Sequence, residues 1–240
     1  WGDGEGDVSI HQRKGGDAPS FSVDGGVSHI AISDQGMLIV GSHSGDLFGH
    51  ERLGGRRWTH SLGGGCDHLA ASTSGDLIAA IDGARLLHLL TSEGRLLGHY
   101  QQGELMLLAV AQDGQLAAVA DDEGNVTVLS RDGTVRFRRE QRGESGERVT
   151  ALEFLADGHL CVAREALGVT LGDEEELALE WWNPLGTEVG RVELGGRCEV
   201  LSASGNGVIT GTVGSGHSLF LIRSPTQVPM WFRNHSVGFG

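Results

Sequence analysis

The chain has 240 residues, of which 39% are hydrophobic, with 40 glycines, 4 prolines and a formal net charge of −14. That length and apolar content suffice for a sizeable core, and glycines lying between apolar runs exclude collagen and proline-rich disorder. No apolar run approaches the roughly 18 residues of a spanning helix, and an acidic surface repels phosphate backbones, so neither membrane insertion within this chain nor nucleic-acid binding is expected.

Residues 1–26 hold two short strand-like runs, around DVSIHQ and APSFSV. From Val27 the chain repeats itself. Apolar first strands open at Val27, Cys66, Leu105, Val149 and Cys198, reading VSHIAIS, CDHLAAS, LMLLAVA, VTALEFL and CEVLSAS. A turn follows each one (SDQG, STSG, AQDG, LADG, SGNG), then second strands such as MLIVGS and QLAAVAD. Third strands come next (DLFGHE, RLLHLL, NVTVLS, LALEWW, SLFLIR), then a glycine turn and an amphipathic fourth strand such as RRWTH or TVRFRR. Gly16, Gly55, Gly94 and Gly133 recur every 39 residues, as do Gly36, Gly75 and Gly114. A fixed period of this size marks a repeat architecture. Runs this short, bounded by Gly, Asp and Asn, are strands joined by hairpin turns.

Such units bury their apolar faces by standing side by side, which predicts an all-β fold, a β-propeller of four-stranded antiparallel blades. Small residues on the first strands (Ala31, Ala70, Ala71, Ala109) and bulky ones later (Phe48, Trp58, Leu97, Phe137, Trp181, Trp231) fit a tapering wedge. The segment GDLFGHERLGGRRWTHSLGGG resembles a PQQ-like, quinoprotein-type propeller repeat, and LAVAQDGQLAAVADDEGNVTVLSRDGTVRF resembles the WD40-like pattern. The Trp-Asp dipeptide of the WD family is missing, because the corresponding third strands end in Leu90-Thr91 and Leu129-Ser130. The expected domain is a single propeller over 1–240, with a partial blade at 1–26 and blades at 27–65, 66–104, 105–147, 148–197 and 198–238. That gives five complete blades plus a partial sixth, in a ring that residues outside this chain could close. A start at Trp1 suggests a processed chain or a fragment.

Chemistry-bearing patterns are sparse. Asp3, Glu5 and Asp7 alternate as at the start of a calcium loop, but the later glutamate is missing and a solvated acidic turn is the simpler reading. His29 and His68 share one position on neighbouring first strands, where imidazoles could ligate zinc or copper. The matching Leu107, Ala151 and Val200 offer no further ligand, which favours a packed or channel-lining pair. GSHSG at Gly41–Gly45 carries His43 where a nucleophilic serine would stand, and there is no phosphate-binding G-x-x-x-x-G-K loop. The quinoprotein resemblance implies a quinone resting on a tryptophan beside paired cysteines. Cys66, Cys161 and Cys198 are isolated from one another, so no cofactor is expected. Three scattered cysteines also favour a reducing, cytoplasmic compartment.

The informative irregularity is where the period breaks. Glycine spacing grows to 44 at Gly158 and 49 at Gly207. The first increase is EQRGESGE, between a fourth and a first strand, and the second is mainly REALGVTLGDEEE, between a second and a third strand. In this strand order both connections leave the same face. They place Arg138, Arg139, Arg142, Glu144, Arg164, Asp173, Glu174, Glu175 and Glu176 on one rim, a candidate contact surface for a protein partner. The plain alternative is a solvated loop pair whose charges pair with each other. The expected function is a non-enzymatic scaffold for protein–protein interaction. The alternatives are a ligand- or metal-binding or catalytic propeller using its axial channel, and a structural domain of a larger envelope or filament protein.

Overall fold

The structure is a computed structural model that describes residues 1–10, 20–52, 54–141, 146–166, 177–194, 197–204, 209–213, 218–222 and 230–233. Strands β1 (Asp7–Ser9) and β2 (Ser20–Ser22) pair in a two-stranded antiparallel sheet. Five four-stranded sheets follow, each using consecutive strands in order. The first holds β3 (Val27–Ile32), β4 (Leu38–Ser42), β5 (Asp46–His50) and β6 (Arg56–Ser61). The second holds β7 (Cys66–Ala71), β8 (Ile78–Asp82), β9 (Leu87–Leu90) and β10 (Leu96–Tyr100). The third holds β11 (Leu105–Val110), β12 (Leu116–Asp121), β13 (Val126–Ser130) and β14 (Val135–Arg139). The fourth holds β15 (Glu147–Phe154), β16 (Leu160–Ala166), β17 (Leu177–Trp182) and β18 (Glu188–Glu193). The fifth holds β19 (Cys198–Ala203), β20 (Ile209–Val213), β21 (Ser218–Ile222) and β22 (Met230–Arg233).

The repeat glycines explain why the hairpins recur in register. Gly36, Gly75, Gly114 and Gly158 have φ of 78°, 78°, 68° and 84°, a left-handed conformation in which a side chain would be strained. In the first blade the second turn reaches positive φ at Gly54 (91°), so the hinge falls one residue before the Gly55 of the 39-residue series.

The chain divides into two compact units, residues 1–118 with 128–135, and residues 119–127 with 136–240. In the first unit, Val8 and Val23 pack against Leu38, Val40 and Phe48 of the first blade. The opposite face of that blade presents Ile39 and Leu47 to Cys66, Ile78, Ala80 and Leu90 of the second. Period-two alternation thus gives each blade two apolar faces, one per neighbour. First strands of successive blades also touch, β3 with β7 and β7 with β11. In the second unit, β15 meets β19. There Cys161, Ala163, Leu179 and Trp181 of the fourth blade pack with Cys198, Leu201 and Ile222 of the fifth.

The deepest burial lies on the second and third strands rather than on the first. Ile78, Ala79, Ala80 and Ile81 of β8 are all at 0% exposure, whereas most of β3 and β7 is half-buried. A middle strand is covered on both faces and hydrogen-bonded on both edges, so the small residues Ala79, Ala80, Ala117 and Ala118 gather there.

Glu153 of β15 is half-buried at the fourth–fifth seam, opposite Cys161 in the strand register. Burial pushes its carboxyl up to about 7, against a hydrogen bond from the Ala203 backbone that pulls the other way. A carboxylate raised above its ordinary value of 4.5 favours the fold fully below that pH and loses this contribution as pH rises through 7. Glu153→Gln is therefore expected to raise the thermal midpoint at pH 8, with the gain vanishing towards pH 4.5; melting curves across this range check it.

Candidate functional site: the charged rim of the fourth blade

The site grows out of one register position at or near the end of the second strand, which the first, second and fourth blades fill with a polar or charged residue. Ser42, Asp82 and Arg164 occupy it in the first, second and fourth blades, facing Val27, Cys66 and Val149 of the paired first strand. A short polar side chain here closes the tight hairpin to the third strand. Ser42 Oγ accepts the Asp46 N–H at 2.9 Å. Asp82 Oδ1 accepts the N–H groups of Ala84 and Leu86, each at 2.9 Å. In the third blade, Asp121 Oδ1 accepts the Asn125 N–H at 2.8 Å. These are Asx-type bonds that satisfy amides a bare turn would leave open.

Asp3 belongs to this series. Its Oδ1 accepts the N–H groups of Glu5 at 3.0 Å and Asp7 at 2.9 Å, while the Asp7 carboxylate accepts the Ser22 hydroxyl and Glu5 is exposed. The alternating acids at the start of the chain thus build the hairpin into β1. His29 and His68 do come together, with ring centroids 6.0 Å apart. His29 Nδ1–H donates to the Cys66 carbonyl at 3.1 Å, and burial, then the neighbouring His29, lowers the pKa of His68. Burial pushes the Cys66 thiol up to about 12, so its sulfur stays protonated and is a poor metal ligand. Among the described residues, no three His, Cys, Asp or Glu side chains converge to hold a metal ion.

In the fourth blade the anchor changes sign. Arg164, only 4% exposed, donates through Nε to Glu180 Oε2 at 3.1 Å and through Nη1 to Glu147 Oε2 at 3.0 Å. The same Nη1 reaches the Gly124 carbonyl at 3.1 Å. Glu180, at 0% exposure, stands opposite Val162 as His88 stands opposite Ala80 in the second blade. The second blade's acid-then-base pair, Asp82 and His88, is thus replaced by base-then-acid. Glu180 Oε2 also accepts the Trp182 Nε1–H at 3.0 Å and pairs with Arg139 Nη1 at 3.4 Å. Its Oε1 accepts from Arg191 Nη1 at 3.1 Å. Arg139 Nη2 continues to Glu188 at 3.1 Å. The guanidinium groups of Arg139 and Arg164 lie 4.7 and 5.3 Å from the centroid of the Trp182 ring, in cation–π geometry.

Arg138, Arg139 and Arg164 therefore gather at one end of the second unit, each engaged with an acid of its own chain, Arg138 with Asp121 at 3.5 Å. Arg142, Glu144, Asp173, Glu174, Glu175 and Glu176 lie outside the described residues. Sequence reasoning singled out the arginines but missed Glu180, Glu147, Trp182 and Arg191. A glutamate inside the otherwise apolar run LALEWW was the available signal, since a charge buried in a strand needs a partner.

No family model and no curated protein matches the chain. Its fold, however, is shared with solved structures. BamB from Moraxella catarrhalis is similar at 15% identity and a TM-score of 0.56, over 96% of this chain and 83% of that one. The C-terminal WD40 domain of Sif2 is similar at 16% identity and a TM-score of 0.66. The match takes in 88% of this chain and 61% of the Sif2 chain, so the protein spans less than two thirds of that structure's length. At these identities the likeness is one of fold. The fold is that of a β-propeller of four-stranded antiparallel blades, with five complete blades and a partial sixth among the described residues.

Proposed function

We propose that the protein is a non-enzymatic propeller scaffold whose partner-contact surface is the rim built by its two insertions. The observation that carries this reading is the Arg164–Glu180 network. A tight turn needs no such device, but a strand end that opens into a long connection must be held from elsewhere. Here Arg164 ties the end of β16 to the Gly124 turn and to Glu147 at the start of β15. A stiff base under variable loops is how repeat proteins present a binding face. In this reading Arg138, Arg139 and Arg164 hold the platform, and contact with a protein falls to Arg142, Glu144 and the acidic run Asp173–Glu176.

The test is to exchange residues 167–176 for a short glycine–aspartate turn and compare capture of partner proteins with the unaltered chain. The expected result is loss of the captured proteins with circular dichroism and melting midpoint retained. Unchanged capture by a folded variant would overturn the reading.

A further inference from the structure

The seam between the first and second blades contains a cluster that the scaffold reading does not use. Its centre is Asp82, fully buried, with both oxygens occupied. Oδ1 takes two turn amides, and Oδ2 takes the Gly63 N–H at 3.2 Å and the His88 Nε2–H at 3.0 Å. His88 is 9% exposed, and its ring meets that of His60 edge-on, with centroids 5.7 Å apart. His60 comes from the other blade. It stands on β6 opposite Leu47, a core residue of this same seam, and its Nε2 is buried without a hydrogen-bond partner. Two residues earlier, Trp58 crosses the seam to donate its Nε1–H to the Ser92 carbonyl at 2.7 Å.

This arrangement tolerates His60 in one charge state. While the ring is neutral, Nε2 is a buried acceptor, a modest cost. Once protonated, it is a buried donor with nothing to receive its hydrogen, facing a second imidazole. Asp82 offers no relief, because its lone pairs are already committed to four donors. On the far side of His88 stands the exposed His99 of β10, opposite it in the strand register and itself an imidazole. Asp46 is bound to Ser61, on the opposite face of β6 from His60.

We propose that His60, His88 and Asp82 form an acid-sensitive latch between the first and second blades, closed while His60 is neutral and loosened when it takes up a proton. The sign follows from the surroundings. Burial, then the proximity of His88, lowers the pKa of His60 from its ordinary 6.5. The contribution to stability is complete above that value and is lost as pH falls below it. The site lies in a different unit from the insertion rim, so the latch stands or falls separately from the scaffold reading.

Hydrogen-exchange protection factors, corrected for intrinsic exchange, test it at pH 7.5 and 5.5. In the unaltered chain, protection in Arg56–Ser61 and Leu87–Leu90 is expected to fall by up to about tenfold, the limit set by one histidine of ordinary value 6.5 when the pH stands one unit below that value. His60→Gln, neutral throughout, should abolish that fall. A fall of equal size in the variant, or none in the unaltered chain, overturns the latch. A second measurement, needing no variant, is an NMR titration of His60 Cε1. A midpoint below 6.5 supports the proposal, and one at or above 6.5 overturns it.

Discussion

Glu180→Ala is expected to destabilise the second unit by about 3–5 kcal/mol, the range seen when one member of a buried ion pair is removed. The substitution takes away the acceptor for Arg164 Nε, for Arg191 Nη1 and for the Trp182 indole, and one of the two carboxylates paired with Arg139. Three guanidinium groups would be left close together with less charge to balance them. The loss arises from stranded cations more than from the pair's own attraction. Glu180→Gln, which retains an oxygen for the indole, should therefore be milder than alanine but still well below the unaltered chain. Urea unfolding followed by tryptophan fluorescence checks both, and near-normal stability of Glu180→Ala would show that the network contributes little. The exposed pair between Arg95 and Glu93, at 3.5 Å, is the natural control, because solvent screening leaves such pairs little effect.

The second large effect is expected at Trp181. This side chain is 1% exposed and fills the seam between the fourth and fifth blades beside Ala163, Cys161 and Cys198. Trp181→Ala removes the largest residue of that cluster and leaves a void which the small neighbours cannot fill. Loss of about 3–5 kcal/mol follows from transfer and cavity terms together. Trp181→Phe should lose less, since an aromatic ring still occupies most of the space. Denaturant midpoints for both variants measure the difference, and equal losses would mean that the seam collapses around either residue.

Much of the architecture was legible because the repeat writes its geometry in local terms. Alternation of apolar and polar residues marks strands, and a glycine held at positive φ marks each hairpin, as at Gly36, Gly75 and Gly114. Both depend on near neighbours in the chain. What depended on distant partners was harder to read. At Asp3 the sequence offered the start of a cation loop or, more simply, an acidic turn, and its acceptance of two amides of its own turn becomes visible only once the hairpin into β1 is recognised as a copy of the Asp82 and Asp121 turns. Arg164 was legible as a charged residue near an insertion, but its burial was not. The carboxylate that neutralises it lies 16 residues away, beyond a connection of irregular length. Small residues do lie on the first strands, at Ala31, Ala70, Ala71 and Ala109, but the middle strands β8 and β12, covered on both faces, also gather them, at Ala79, Ala80, Ala117 and Ala118.

The change of sign at the end of β16 has a bearing on protein engineering. Where Asp82 or Asp121 closes a hairpin, lengthening the tip would strip the carboxylate of the amides that neutralise it, so those corners resist added sequence. In the fourth blade the same corner is fastened from outside the loop, through Arg164, by the Glu180 and Glu147 side chains and the Gly124 carbonyl. That corner can therefore accept grafted peptides of varied length without unseating the blade beneath, making it the natural port for foreign cargo in this molecule.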